Sequence, residues 1–113
     1  MITQEILGKT YTTCVKPTNA ALTVLTATNE AIAVHSFWIT ENGGGSTTID
    51  VYLTNPSGTN YYIYRGITVP APGRISHSDL FFINKGWSLK TDAGADSRLD
   101  MGITHSTGSA TSQ

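Results

Sequence analysis

The chain has 113 residues, a length typical of one domain, and its single cysteine, Cys14, excludes a disulfide within the chain. Only 13% of its residues are charged and its net charge is −1, so there is no basic patch to hold phosphates and nucleic acid is not expected as a partner. No stretch approaches the ~18 apolar residues of a membrane span. Residues 1–7 lack both the basic start and the continuous apolar run of a signal peptide, so no membrane partner is expected either.

Residues 1–10 precede the first alternating segment and contain three aliphatic side chains, Ile2, Ile6 and Leu7. No turn signal separates them from the segment that begins at residue 11. We expect residues 1–10 to be an N-terminal arm that lies on a neighbouring subunit, and an edge strand of the same domain is an equal alternative.

From residue 11 onward, β-branched and aromatic residues dominate the apolar segments, and Gly or Pro interrupts them about every ten residues, which predicts an all-β chain. The expected strands lie near residues 11–15, 21–27, 31–40, 47–54, 60–69, 74–83, 87–91 and 98–104. About eight short strands over residues 11–105 are typical of a sandwich or a small barrel, and a single-domain antiparallel β-sandwich is the architecture we expect.

The segments between these strands carry their own signals. After Val34 the apolar residues change from even to odd positions, which predicts a bulge near His35 and Ser36. The Gly-rich residues 41–46 predict a hairpin loop, and residues 55–58 predict a turn that makes 60–69 the third strand of a meander.

The two prolines in residues 69–73 cannot continue a central strand, so a crossing between sheets is expected there. Residues 106–113 contain no apolar anchor and are expected to form a flexible Ser/Thr-rich C-terminal tail.

No residue pattern in the chain has the spacing of a catalytic or metal site. His77 and Asp79 share a strand face but supply at most two of the three or four ligands of a zinc site. Asp92, Asp96 and Asp100 recur every four residues, whereas calcium loops place oxygens at every second position. We therefore expect no metal, no cofactor and no enzymatic activity, and a hydrolase with a triad scattered over several strands is the remaining enzymatic alternative.

The run of aromatic residues after the second turn suggests a binding surface. Alternation places Tyr62 and Tyr64 on one face of their strand, and Tyr61, Ile63 and Arg65 on the other. An exposed tyrosine beside an arginine is typical of protein interfaces, so Tyr61, Tyr62 and Arg65 are predicted partner-binding residues, together with Ile2, Ile6 and Leu7 of the arm. A platform that stacks sugars, formed by Tyr61, Tyr62 and Tyr64 with Trp38 or Trp87, is the alternative.

Four segments of the chain resemble short motifs that follow one another in the same order in a known group of proteins. Residues 23–40 resemble a short strand that leads through Asn or Gly into an A-x-V-x-S-I-x-V-x-N strand, and residues 48–53 resemble the T-V-x-V-x-L strand that follows it. Residues 67–71 resemble a V-P-A crossover, and residues 80–89 resemble an L-x-L-x-x-G-D-x-L pair of strands. In these segments the chain resembles small structural proteins of tailed-bacteriophage virions.

The resemblance implies a jelly-roll-like sandwich that serves as a non-enzymatic virion component. Its implied role is a head decoration, or cement, protein that binds the phage major capsid protein at the capsid surface and assembles in the host cytoplasm. The implied self-association is a homotrimer. A part of the tail or its fibres, including a receptor-binding module that takes carbohydrate, is the alternative role.

Overall fold

The computed structural model describes residues 9–42, 45–95 and 98–107. This part of the chain contains no helix, and therefore none long and apolar enough to cross a membrane. Nine strands make up its regular structure: β1 (Thr10–Val15), β2 (Leu22–Thr26), β3 (Ile32–Glu41), β4 (Thr47–Thr54), β5 (Asn60–Val69), β6 (Gly73–His77), β7 (Phe81–Ile83), β8 (Ser88–Ala93) and β9 (Leu99–Thr107).

The strands form two antiparallel sheets. Sheet A has the order β1-β9-β3-β6, with β7 also paired to β3, and sheet B has the order β2-β8-β4-β5. Successive strands pass repeatedly from one sheet to the other, which is the connectivity of a jelly roll. The predicted all-β, jelly-roll-like sandwich is therefore confirmed.

The core lies between the two sheets and is built from the inward positions of both. It follows the predicted alternation closely on β4, where Ile49 and Val51 are buried and Thr48 is exposed. The buried hydrophobic cluster contains Ala27, Val34, Phe37, Ile39, Ile49, Val51, Val69, Ile83, Leu89, Ala93, Leu99, Met101 and Ile103.

Phe37 occupies one end of this core within a group of aromatic rings. Its ring stacks on His77 with centroids 4.9 Å apart, and it meets Tyr64 edge-on at 5.4 Å and Phe81 edge-on at 6.4 Å. These contacts join β3, β6 and β7 of sheet A to β5 of sheet B.

The bulge predicted in β3 is confirmed, because the pairing of β3 with β9 shifts register between Val34 and Ser36. One expected strand, residues 74–83, is two strands in the structure. β6 pairs with Phe37–Glu41 and β7 pairs with Ile32–Val34, along the same edge of β3 on either side of the bulge. The irregular ladder at the bulge explains why one straight partner strand does not form.

β3 and β4 do not form the hairpin predicted on either side of residues 41–46, because β3 belongs to sheet A and β4 to sheet B. Glu41 is the last residue of β3, and its side chain is fully buried. Thr47 Oγ1 donates to Glu41 Oε2 at 2.6 Å, and Arg98 Nε lies 3.5 Å from the same oxygen. Arg98 Nη2 also donates to the Gly45 carbonyl at 2.6 Å.

The next two connections follow the sequence more closely. β4 and β5 do form an antiparallel hairpin, and Asn55 Oδ1 accepts hydrogen bonds from the amides of Ser57 and Thr59 in its turn. The prediction that β5 is the third strand of a meander is wrong, because β3 lies in the other sheet. Residues 69–73 pass from sheet B to sheet A, which confirms the predicted crossing. At the far end, β9 continues to Thr107, past the expected start of the tail at Ser106, and residues 108–113 lie outside the described residues.

Candidate interaction surface

Two of the predicted partner-binding residues meet on the outer face of sheet B, the side turned away from sheet A. Directly opposed residues of neighbouring strands project to the same face, and Tyr52 on β4 is opposed by Tyr62 on β5. Their ring centroids are 5.0 Å apart, and the Arg65 guanidinium lies 4.6 Å from the centre of the Tyr62 ring. In this tyrosine–arginine cluster of Tyr52, Tyr62 and Arg65, Tyr52 is buried, whereas Tyr62 is 40% exposed and Arg65 is also exposed. Tyr62 and Arg65 are therefore the members open to a partner.

The predicted division of faces on β5 is wrong at two residues. Tyr64, expected beside Tyr62, faces the core and contacts Phe37, whereas Arg65 returns to the side of Tyr62. The cause is a pair of register shifts between β4 and β5, each of which adds one residue to β5 and reverses the alternation.

The second of these irregularities along β5 is fixed by a glycine and a carboxylate. Gly66 has φ of 64°, a conformation that side-chain-bearing residues rarely adopt. Its amide donates to Asp50 Oδ1 at 2.6 Å. This hydrogen bond ties the outer strand β5 to β4 next to the Arg65 backbone.

Tyr61 does not join the cluster, because it projects from the opposite side of β5. Its ring stacks on Trp87 with centroids 5.6 Å apart and an interplanar angle of 30°. It is 51% exposed. The three predicted residues of β5 therefore belong to two separate surfaces, with Tyr62 and Arg65 on one and Tyr61 on the other.

Charged residues continue the outer face of sheet B beyond the tyrosines. Lys90 on β8 stands opposite Tyr52, and Asp92 on β8 stands opposite Asp50 on β4. Burial and the nearby Asp50 carboxylate raise the pKa of Asp92 above its usual value. Burial, followed by the charge of Asp92, also raises the pKa of the Tyr52 phenol.

We expect Asp92→Asn to stabilise the isolated subunit at neutral pH by up to about 1 kcal/mol. A carboxyl whose pKa is raised on folding costs stability above that raised pKa, and the cost disappears as pH falls below the unfolded value. Urea unfolding of dilute protein should therefore show the gain at pH 7 and none near pH 3.5. The control is Asp79→Asn, which changes an exposed carboxylate of the β6–β7 link; an equal gain there would contradict the explanation.

A second surface, which was not predicted from the sequence, is a groove on the outer face of sheet A. Its volume is about 510 Å³, and β1, β9 and β3 line it with Cys14, Met101 and Trp38 among others. Its rim carries the exposed ion pair of Lys16 and Asp100. Hydrogen bonds from Lys16 and from Asn42 lower the pKa of Asp100 below its usual value.

The sequence signal for this groove was Gly102 in the middle of β9, since a glycine inside a strand marks a close approach by another group. Gly102 lies opposite Trp38 in the ladder, and a Cβ at residue 102 would overlap the indole. The missing side chain therefore allows the Trp38 ring to lie against the backbone of β9.

We expect Gly102→Ala to displace the Trp38 indole and to lower the free energy of unfolding by about 1–3 kcal/mol. In a Trp87→Phe background, Trp38 fluorescence should shift to longer wavelength and become easier to quench with acrylamide. In a Trp38→Ala background the same glycine substitution should cost much less, because the overlapping ring is gone. Equal costs in both backgrounds would contradict the packing argument.

Each of the three histidines makes a different contact. His77 stacks in the aromatic group around Phe37, His35 bonds Ser106 Oγ at 2.9 Å, and His105 bonds Thr13 Oγ1 at 2.8 Å. Burial, followed by the charge of His35, lowers the pKa of His105. Within residues 9–42, 45–95 and 98–107, no group of three His, Cys, Asp or Glu side chains is placed to hold a metal ion.

The remaining predicted site residues, Ile2, Ile6 and Leu7, lie outside the described residues. The described chain enters β1 at Thr10, at one edge of sheet A, where β1 pairs with β9. The arm would therefore extend from an edge strand.

Comparison with known proteins adds evidence on the fold. No protein-family model and no curated protein matches the chain. Among solved structures, a chain in the acidic stable capsid structure of Helicobacter pylori bacteriophage KHP30 is similar, with a TM-score of 0.54 and 11% identity over 85% of this chain and 84% of that one. A chain of the Bacillus endospore appendages, described as disulfide-linked pili, has a TM-score of 0.52 and 12% identity over 88% of each chain. These likenesses show a shared fold.

Proposed function

We propose that this protein is a non-enzymatic structural component of a bacteriophage virion, a head decoration protein that stabilises the capsid by binding the major capsid protein. The observation that carries the proposal is the tyrosine–arginine cluster on the outer face of sheet B, an exposed arrangement typical of subunit interfaces. The shared fold with a chain of a phage capsid structure and the sequence resemblance to virion proteins support the same role.

The surface composition fits a crowded assembly. Ser and Thr hydroxyls supply much of its polarity, and packing against another subunit desolvates a hydroxyl at far less cost than a Lys or Glu side chain. The arm before Thr10 would reach the capsid protein by adding a strand to the edge of one of its sheets, with Ile2, Ile6 and Leu7 entering apolar pockets. Each aliphatic side chain buried in this way contributes roughly 1.5–3 kcal/mol.

In this proposal the protein assembles in the host cytoplasm and acts at the capsid surface as a homotrimer. A three-fold arrangement joins unlike surfaces of neighbouring copies, as every head-to-tail ring does. Neither nucleic acid nor a membrane takes part in the proposed contacts.

Binding to empty capsids that lack the protein tests the proposal. We expect saturable co-sedimentation of the full chain, weakened roughly tenfold or more by Ile6→Asp, because burying an unpaired carboxylate opposes docking of the arm. Thr3→Asp adds the same charge to a polar position and is the matched control. Absence of capsid binding by the unmodified chain would contradict the proposal.

One observation favours a second candidate, a carbohydrate-binding module of the tail or its fibres. Tyr61 is half-exposed at the end of the sandwich and is held against Trp87, an arrangement able to stack a sugar ring. Glycan-array binding that disappears in Tyr61→Ala, while capsid binding is absent, would favour this candidate over the decoration protein.

A further inference from the structure

The outer face of sheet B carries charges of both signs that have no ionic partner in the described part of the chain. Lys90 and Arg65 take part in no ion pair there, and neither do Asp50 and Asp92. Asp50 accepts a hydrogen bond from Gly66, and Arg65 lies on the Tyr62 ring. The face therefore has two bases and two acids available to a partner.

The ladder arranges these groups in two neighbouring rows. One row runs across the strands from Lys90 through Tyr52 to Tyr62, and the other contains Asp92 and Asp50. Residues two apart on a strand lie about 6.5–7 Å from each other on the same face. On β5 the second row continues to Arg65, which lies between the residues opposed to Val51 and Ile49 and next to the Gly66 amide that donates to Asp50. A row with one lysine and two tyrosines thus lies beside a row with two aspartates and one arginine.

We propose that the outer face of sheet B binds the same face of a second copy of this chain about a two-fold axis that runs between the two rows. A rotation of 180° about this axis places the row of Lys90, Tyr52 and Tyr62 of one copy over the row of Asp92 and Asp50 of the other copy. Each strand then lies over the same strand of the second copy. Lys90 of each copy then faces Asp92 of the other, which forms two identical intermolecular ion pairs. The tyrosine–arginine clusters meet beside them.

Charge complementarity selects a second copy as the occupant. The face carries equal numbers of acids and bases, and a two-fold contact pairs Lys90 with Asp92 twice while leaving neither row opposite its own sign. A partner of a single sign would repel one row. Lys90 and Asp92 are both half-buried already, so pairing them removes less water than it would at fully exposed positions.

The acidic pair provides independent support. Asp50 and Asp92 face each other across β4 and β8, and burial, followed by the charge of Asp50, raises the pKa of Asp92. A lysine from a second copy would offset the repulsion between these two carboxylates. The inference rests on the proposed structural role of this protein but assigns this face to a second copy, so the capsid protein would be contacted through the arm before Thr10. It predicts an even number of copies, either a dimer or a pair of trimers.

Complementary charge reversals test the contact. In Lys90→Asp, residues 90 and 92 of β8 are both acidic, and in Asp92→Lys both are basic. Since residue 90 of one copy faces residue 92 of the other, each variant alone brings like charges together at the two-fold interface. Like charges in contact cost several kcal/mol, so we expect each variant to self-associate roughly 100-fold more weakly than the unmodified chain. An equimolar mixture of the two variants restores opposite charges at both pairs, and sedimentation velocity should show association recovered to near the original strength.

Lys85→Asp is the matched control, because it makes the same charge change at an exposed residue of the turn before β8. A carbodiimide cross-link between Lys90 and Asp92 in a mixture of ¹⁴N- and ¹⁵N-labelled unmodified chains tests the same pair without any substitution. Cross-linked peptides should combine one light and one heavy copy.

An unmodified chain that is strictly monomeric or trimeric would overturn the inference, as would the absence of mixed-isotope cross-links or a mixture that fails to recover. Capsid co-sedimentation distinguishes the two proposals. Self-association without capsid binding contradicts only the decoration role, and capsid binding by an odd-numbered assembly contradicts only the two-fold contact.

Discussion

Replacing Arg98 with methionine should lower the free energy of unfolding by about 3 kcal/mol, the lower end of the cost of breaking a buried ion pair. The Glu41 side chain is fully buried, and the Arg98 guanidinium lies 3.5 Å from its carboxylate while also donating to the Gly45 carbonyl. The substitution leaves a buried negative charge without this cation. Urea or thermal unfolding followed by circular dichroism measures the loss.

The exposed ion pair of the same chain provides the control. Lys16 and Asp100 are 61% and 45% exposed, so Lys16→Met should cost under about 1 kcal/mol. Combining Arg98→Met with Glu41→Leu should recover much of the loss, because it removes the buried negative charge as well as its cation. Equal costs for Arg98→Met and Lys16→Met would show that the buried carboxylate does not depend on Arg98.

Phe37→Ala should cost about 3–5 kcal/mol, the usual range for deleting a buried phenylalanine. The Phe37 side chain is 1% exposed, and its ring contacts His77, Tyr64 and Phe81. Since these rings connect the two sheets, the cavity would lie where the sheets are held together. The midpoint of urea unfolding should fall, with the slope of the transition unchanged if the folded state persists.

Phe82→Ala is the matched control, because the same side chain is deleted at a position that is 49% exposed on the other side of its strand. We expect a change of about 0.5 kcal/mol or less, as for other surface substitutions. A cost for Phe82→Ala close to that of Phe37→Ala would contradict the assignment of the core.

Local patterns predicted most of the strands, because each depends on the chemistry of adjacent residues. The alternation of residues 47–54 matches β4 at both ends, and the change of parity after Val34 corresponds to the observed bulge. The prolines at residues 70 and 72 likewise marked a crossing between sheets, since neither can donate to a ladder.

Pairing between distant strands was harder to predict. A Gly-rich link is compatible with both a hairpin and an arch between sheets, and the buried contact of Glu41 with Arg98, which helps to hold the arch, joins residues far apart in sequence. The exchange of Tyr64 and Arg65 between faces has a similar origin. It follows from two bulges, of which Gly66 marks only one and does not reveal the register of the partner strand.

The candidate surface was predictable in composition and only partly in geometry. Tyr62 and Arg65 were expected to be contact residues, and the structure places them together. Lys90, Asp50 and Asp92 were not connected with them, because their proximity depends on the pairing of β4 with both β5 and β8.

The mass of the purified unmodified chain over a range of concentrations, combined with its retention on empty capsids, is the decisive measurement of the proposed structural role. A protein that works by contact should form oligomers and remain bound to capsids during sedimentation. A chain that stays monomeric at every concentration and does not bind capsids would contradict the conclusion that this sandwich functions as a structural subunit.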